Sequence, residues 1–169
     1  MSLLLINTLK ENDPAAKEAI SALTAKTPSH TVFHTENMKI SPCVGCNACW
    51  LKTPGVCAIK DDYEQIFKAC LKHDATIIIS GTSLDFISYK AKNIVDRMLP
   101  LGTMYLHIVD GQMRHIIRYE KRLRLGIVYS GAADREYMEQ WLERVTLNFN
   151  GISICALPVE KCEEVSLCI

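Results

Sequence analysis

The chain has 169 residues, 49% of them hydrophobic, with 19 basic side chains balancing 19 acidic ones. That length suffices for one domain with a sizeable core. A formal charge of zero excludes the basic footprint of a nucleic-acid binder or a membrane-surface protein. The opening MSLLLINTLKEN is too short in apolar residues for a signal peptide, and no later run approaches the ~18 apolar residues of a membrane span. The expectation is a soluble, cytoplasmic protein, in which eight cysteines point to metal or redox chemistry rather than to disulfides.

Leu3 to Ile6 is an apolar run of the kind found in buried parallel strands. AAKEAISALTAK then has helical spacing, with Asp13 as its N-cap and Pro14 at the first helical position. His30 to His34 is a second strand. A cysteine-rich loop follows at residues 42–60, and Asp61 and Asp62 open the helix DDYEQIFKACLKH at its positive end. Ala75 to Ile79 is a third strand, with Ser80 to Ser83 read as the loop after it. YKAKNIVDRML is helical, and residues 101–120 are read as irregular. Leu123 to Tyr129 is a fourth strand followed by a loop at Ser130 and Gly131. REYMEQWLERVTLNF is amphipathic, and ISICAL is a last strand.

Alternation of this kind predicts an α/β fold with a parallel sheet and helices on both faces. Five strands fit a doubly wound, flavodoxin-like sheet of order 2-1-3-4-5, with ligands outside the carboxyl ends of strands 1, 3 and 4. The chain from 1 to 169 reads as a single domain. Its tail after the last strand is short for a full helix.

Cys43, Cys46, Cys49 and Cys57 form the pattern C-x2-C-x2-C-x7-C. Three thiols at this spacing can face one centre and a fourth can close the set. Thiolates suit iron–sulfur clusters or zinc. The triple spacing tilts toward a [4Fe–4S] cluster, because zinc ribbons more often use two separated pairs. The alternative is a loop packed by reduced thiols, cysteine being a good small hydrophobe. Cys70 and Cys155 read as core residues, and Cys162 and Cys168 as exposed thiols of the tail.

The stretch PCVGCNACW…KTPGVCAIKDD, with KAKNIVDRMLPL and RHIIRYEK after it, resembles the NAD(P)H-dependent FMN reductase and iron–sulfur flavoprotein group of flavodoxin-like proteins. The order of elements follows that group over about residues 2–157 and is most specific over 42–120. The resemblance implies FMN at the strand carboxyl ends and a cluster on Cys43, Cys46, Cys49 and Cys57. Electrons would come from a nicotinamide cofactor or a redox protein partner, and homodimers are common. Thr8, Lys10 and Asn12 would then hold phosphate, while Ser80, Gly81, Thr82, Ser83, Ser130 and Gly131 would line the flavin ring. No catalytic side chain is evident, since the flavin carries the chemistry.

Two loops depart from the group's pattern. Glu11 and Asp13 put negative charge where a phosphate should sit, Pro14 removes an amide, and no glycine lets the backbone approach. The ring-stacking aromatic is absent from Ser80 to Asp85, with Trp50 or Phe86 as substitutes. Lys92, Asp96 and Arg97 match the group's helix and read as a solvated face; His115, Arg118 and Tyr119 match without a mechanism. The leading reading is an FMN-dependent NAD(P)H oxidoreductase or electron-transfer flavoprotein. The alternative is a flavodoxin-like module that has lost flavin, its cysteines holding a cluster, zinc or no metal. The helix from Arg135 to Phe149 offers Trp141 and Leu142 either to a second subunit or to the sheet.

Overall fold

In the computed structural model, which describes residues 1–165, five parallel strands form the central sheet. They are β1 (Ser2–Asn7), β2 (Ser29–His34), β3 (Ala75–Ser83), β7 (Arg124–Ser130) and β8 (Ile152–Pro158), in the order β2-β1-β3-β7-β8. This is the flavodoxin-like order expected from the strand pattern. β1 and β3 are central, and every residue from Leu3 to Ile6 and from Ala75 to Ser80 is buried. Continuous apolar runs serve here because both sheet faces are covered.

Alternate residues of those runs face opposite sides of the sheet. Leu4, Ile6, Ile78 and Ile127 join one core cluster with α3 (Tyr63–Lys72), α4 (Tyr89–Asp96) and α5 (Arg135–Asn148). Leu3, Leu5, Ile77, Ile79 and Val128 join the other with α1 (Pro14–Ala25). A 3-10 turn over Val159–Glu164 packs back on that second face where a last helix would otherwise lie. It buries Cys162, which the sequence reading placed on the surface. Cys168 lies outside the described residues.

Two segments differ from the sequence reading. Residues Ser80 to Ser83 continue β3 rather than leaving it as a loop, and they pair antiparallel with β4 (Phe86–Ile87). The turn between them, Leu84 and Asp85, has φ of 51° and 58°, the two-residue geometry that matches strand twist. Residues 101–120 are not irregular: β5 (Gly102–Val109) and β6 (Gln112–Ile117) form a hairpin about Asp110 and Gly111, both at positive φ. The Asp-Gly pair is a hairpin signal, obscured because the flanking strands lack a clean apolar alternation.

The face of α5 carrying Met138 and Leu142 packs on the sheet, and Trp141 meets Phe86 edge-on at 4.9 Å between centroids. Among the described residues no helix is long and apolar enough to cross a membrane.

Candidate functional site

The loops after β1, β3 and β7 meet at one end of the sheet, as the strand order dictates. Many of their polar groups are engaged with each other. Thr8 is buried, and both its amide and its hydroxyl donate to the Ile79 carbonyl at 2.9 Å. Ser80 is buried and donates to the Gly81 carbonyl at 2.6 Å, while accepting from the Ser88 amide. The Leu9 side chain covers Gly81, where an added Cβ would lie 3.2 Å from Leu9 Cδ2. Gly131, at φ 110°, lets its loop close on Thr82: a Cβ there would stand 2.4 Å from Thr82 Oγ1. The groups left facing solvent are Lys10, Asn12, Ser83 and Gly131, and Ser130 lies half-buried with its carbonyl accepting weakly from Thr82.

The amino end of α1 is likewise self-satisfied. Asp13 Oδ1 accepts from the amides of Ala15 and Ala16 at 2.9 and 3.4 Å. The Glu11 amide donates to the Glu36 carboxylate at 2.9 Å. Carboxylates therefore stand on the donors that a phosphate would need, and the charge complement of the helix end is already filled. This end of the site does not fit a phosphate dianion. Of the two aromatic substitutes, Phe86 lies beside the β3 end and is held by Tyr137 and Trp141, whereas Trp50 belongs to the cysteine loop.

In that loop, Gly45 and Asn47 have φ of 65° and 55° and reverse the backbone between successive cysteines. A one-turn helix, α2 (Ala48–Leu51), follows. Trp50 donates its indole N–H to the Leu99 carbonyl at 2.8 Å and rests on His115, 4.7 Å between ring centroids. Gly55 sits at φ 84° with the Arg118 Cδ and Tyr119 hydroxyl only 3.0 and 3.1 Å from where a Cβ would be. His115, Arg118 and Tyr119 are thus the wall against which the loop docks.

Cys43, Cys46, Cys49 and Cys57 all line one cavity of about 20 Å³. Cys46 is exposed, Cys49 is buried, and the other two are half-buried. Burial and then the neighbouring Cys57 push the Cys49 thiol above its ordinary pKa. No three His, Cys, Asp or Glu side chains among the described residues stand close enough to hold one metal ion. A cubane differs from a single ion in this respect, since each of its irons takes one thiolate and the four sulfurs stand farther apart. The donor set therefore fits a cluster in type and number. Cys46, on the exposed side of the cavity, is the least packed of the four. Cys70, by contrast, sits in the core, where burial pushes its thiol up to about 12.

Arg97 also lines this cavity, and it is not part of a solvated face: its side chain is 1% exposed. It forms a two-pronged pair with Asp61, Nη1 to Oδ2 at 2.7 Å and Nη2 to Oδ1 at 2.9 Å. Nη1 also donates to the Ser41 carbonyl at 2.9 Å, and Nη2 approaches Ile59 O at 3.4 Å and Cys57 Sγ at 3.6 Å. The guanidinium lies 4.5 Å from the centre of the Tyr63 ring. Asp61 in turn accepts from the Ser41 and Tyr63 amides. Only Lys92 and Asp96, which pair with each other at half exposure, behave as the surface pattern predicts.

The two regions stand apart on the chain's own frame. α4 starts beside the β3 end at Ser88, and its eight residues span about 12 Å before Arg97.

No family model matches the chain. A search of curated proteins finds an iron–sulfur flavoprotein of Archaeoglobus fulgidus, 33% identical over 112 residues that make up 66% of this chain and 45% of that protein. The chain thus spans less than half the length of the curated relative it matches. Among solved structures, an NAD(P)H:quinone oxidoreductase from Methanothermobacter marburgensis superposes with a TM-score of 0.64 at 12% identity, covering 99% of this chain and 93% of that one. A general stress protein 14 from Treponema denticola, solved in complex with FMN, gives 0.54 at 13% identity and covers 99% and 94%. The chain therefore resembles an iron–sulfur flavoprotein in sequence and flavodoxin-like oxidoreductases in fold.

Proposed function

We propose that this chain, read as a single domain over 1–169, is a redox domain of the iron–sulfur flavoprotein kind. Its cysteine loop holds a [4Fe–4S] cluster on Cys43, Cys46, Cys49 and Cys57, and FMN docks at the carboxyl ends of β1, β3 and β7. A nicotinamide cofactor or a redox protein is the partner. The observation that carries this reading is the convergence of four unpaired thiols and one buried cation on a single cavity, in a chain whose relative bears both cofactor names.

When bound, FMN supplies hydride and electron chemistry. The chain's own part at that end is positional. Ser83, Ser130 and Gly131 offer neutral polar groups to the flavin ring, and Lys10 and Asn12 are the solvent-facing donors nearest the phosphate end. Because Asp13 and Glu36 already satisfy amides there, the flavin is held at its ring and ribityl portions and exchanges readily. At the other end, the four thiolates neutralise iron and the docked Trp50 fixes the loop.

The engaged hydroxyls of Thr8 and Ser80 favour a second reading, in which the flavin is lost and the cysteine loop alone works as an electron carrier. Protein purified without oxygen, examined by ultraviolet–visible spectroscopy with iron, zinc and flavin analysis, separates the two. Iron with flavin bands, present or restored by added FMN, supports the first; iron with no FMN binding supports the second. Zinc or no metal refutes the cluster.

A further inference from the structure

Resting on the cluster reading, we infer that Arg97 is the positioning residue of the cysteine loop and sets the reduction potential of the centre the loop holds, by clasping both its ends and directing an N–H toward the Cys57 sulfur. One guanidinium reaches Ser41, two residues before the first cysteine, and Ile59 and Asp61, just after the last. A planar fork with fixed donors can make these contacts at once, which an ammonium cannot. The Asp61 carboxylate joins the same two ends through the Ser41 and Tyr63 amides.

The geometry goes beyond a structural clasp. Of the two terminal nitrogens, Nη2 faces Cys57 Sγ at 3.6 Å, and Nε is buried with no partner at all. A buried donor without a partner costs free energy that an added acceptor recovers. Cluster sulfur and thiolate sulfur are acceptors of that kind, and hydrogen bonds to them are among the terms that set cluster potentials. Reduction adds one electron to the cluster, breaks no bond, and increases negative charge on its sulfurs. A nearby N–H and positive charge stabilise that reduced form and raise the potential.

The test uses wild-type protein, R97K and R97Q, each reconstituted without oxygen from ferrous iron and sulfide. Iron is counted, and the midpoint potential is read by electron paramagnetic resonance during titration with dithionite. The expected result is a fall in midpoint in R97K, which keeps the charge but loses the fork, and a larger fall in R97Q. Unchanged midpoints overturn the inference, whether iron content is full or reduced, because a purely structural clasp would lower loading without moving the potential of what remains. If R97Q does not fold, R97K decides. Wild-type protein that takes up no iron overturns the cluster reading itself, which distinguishes that failure from failure of the Arg97 inference.

Discussion

The carboxyl end of the sheet and the cysteine loop are built on opposite plans. At the sheet end, Thr8, Ser80, Asp13 and Glu36 turn their polar groups onto the backbone of the protein itself. In the cysteine loop the Arg97–Asp61 pair ties the scaffold together but leaves Arg97 Nε without a partner, and the four sulfurs are not bonded to one another. Closed hydrogen bonding gives a stable edge that a ligand must compete to enter. Open ligands on a closed scaffold give a reactive centre that waits for its partner.

The sharpest way to break this comparison is to remove one sulfur. Cys46→Ala is expected to abolish bound iron and its brown absorbance after reconstitution, while Cys162→Ala, altered in the far core, keeps both. Equal iron in the two variants would remove the loop from the ligand set.

Next in size is the scaffold itself. Asp61→Ala strands the Arg97 guanidinium in the interior, and breaking a buried pair from one side costs about 3–5 kcal/mol, to be read as a lower urea midpoint. The pH dependence follows the same pair. Burial opposes the charge on Asp61, yet the Arg97 guanidinium and the Ser41 and Tyr63 amides hold its carboxyl below the ordinary range. Its contribution is therefore present above the unfolded-state value of about 3.9 and is lost as pH falls through the lower folded-state value. Asp61→Asn should lack that acid-dependent loss in urea titrations run at successive pH values.

A smaller effect sharpens the other side. Asp13→Ser keeps an N-cap while removing the charge, so stability should change by no more than about 0.5 kcal/mol. FMN affinity relative to riboflavin should then rise by a few-fold in fluorescence titration, because a helix end free of carboxylate favours phosphate by about 0.3–1 kcal/mol. An unchanged ratio would mean that the phosphate lies elsewhere. Thr8→Asp is a poorer probe, since the Thr8 hydroxyl is buried against β3 and its loss reads out first as instability. The mildest test is alkylation of metal-free protein by iodoacetamide: among the described cysteines Cys46 should react first, and well before the buried Cys70, by mass spectrometry of timed samples.

Much of the fold was legible because apolar runs and helix caps are local signals. Leu3 to Ile6, Ala75 to Ile79 and the Asp13–Pro14 helix start all stand where the pattern puts them. The β5–β6 hairpin was not, although Asp110–Gly111 marked its turn, because its strands expose Tyr105, Ile108 and Met113 and so lack a clean inward face. For the site, the four cysteines singled out by their spacing line one cavity, though no three stand close enough to hold a single ion among the described residues. Arg97 was misjudged for a physical reason: its helical neighbours Lys92 and Asp96 are surface residues, and only the return of the chain at Ser41 and Asp61, far off in sequence, buries it. His115, Arg118 and Tyr119 take their meaning from Trp50 and Gly55 in the same way.

The clasp at Ser41, Asp61 and Arg97 contains no sulfur. None of its groups would ligate iron, so the clasp is expected to form without metal. The Arg97–Asp61 scaffold would then stand before loading, and maturation would be a rearrangement of the loop's sulfurs rather than folding around a nucleus. Loading and stripping should then leave the far-ultraviolet dichroism of the chain unchanged, and an apoprotein emptied by oxygen would return to service without passing through an unfolded state.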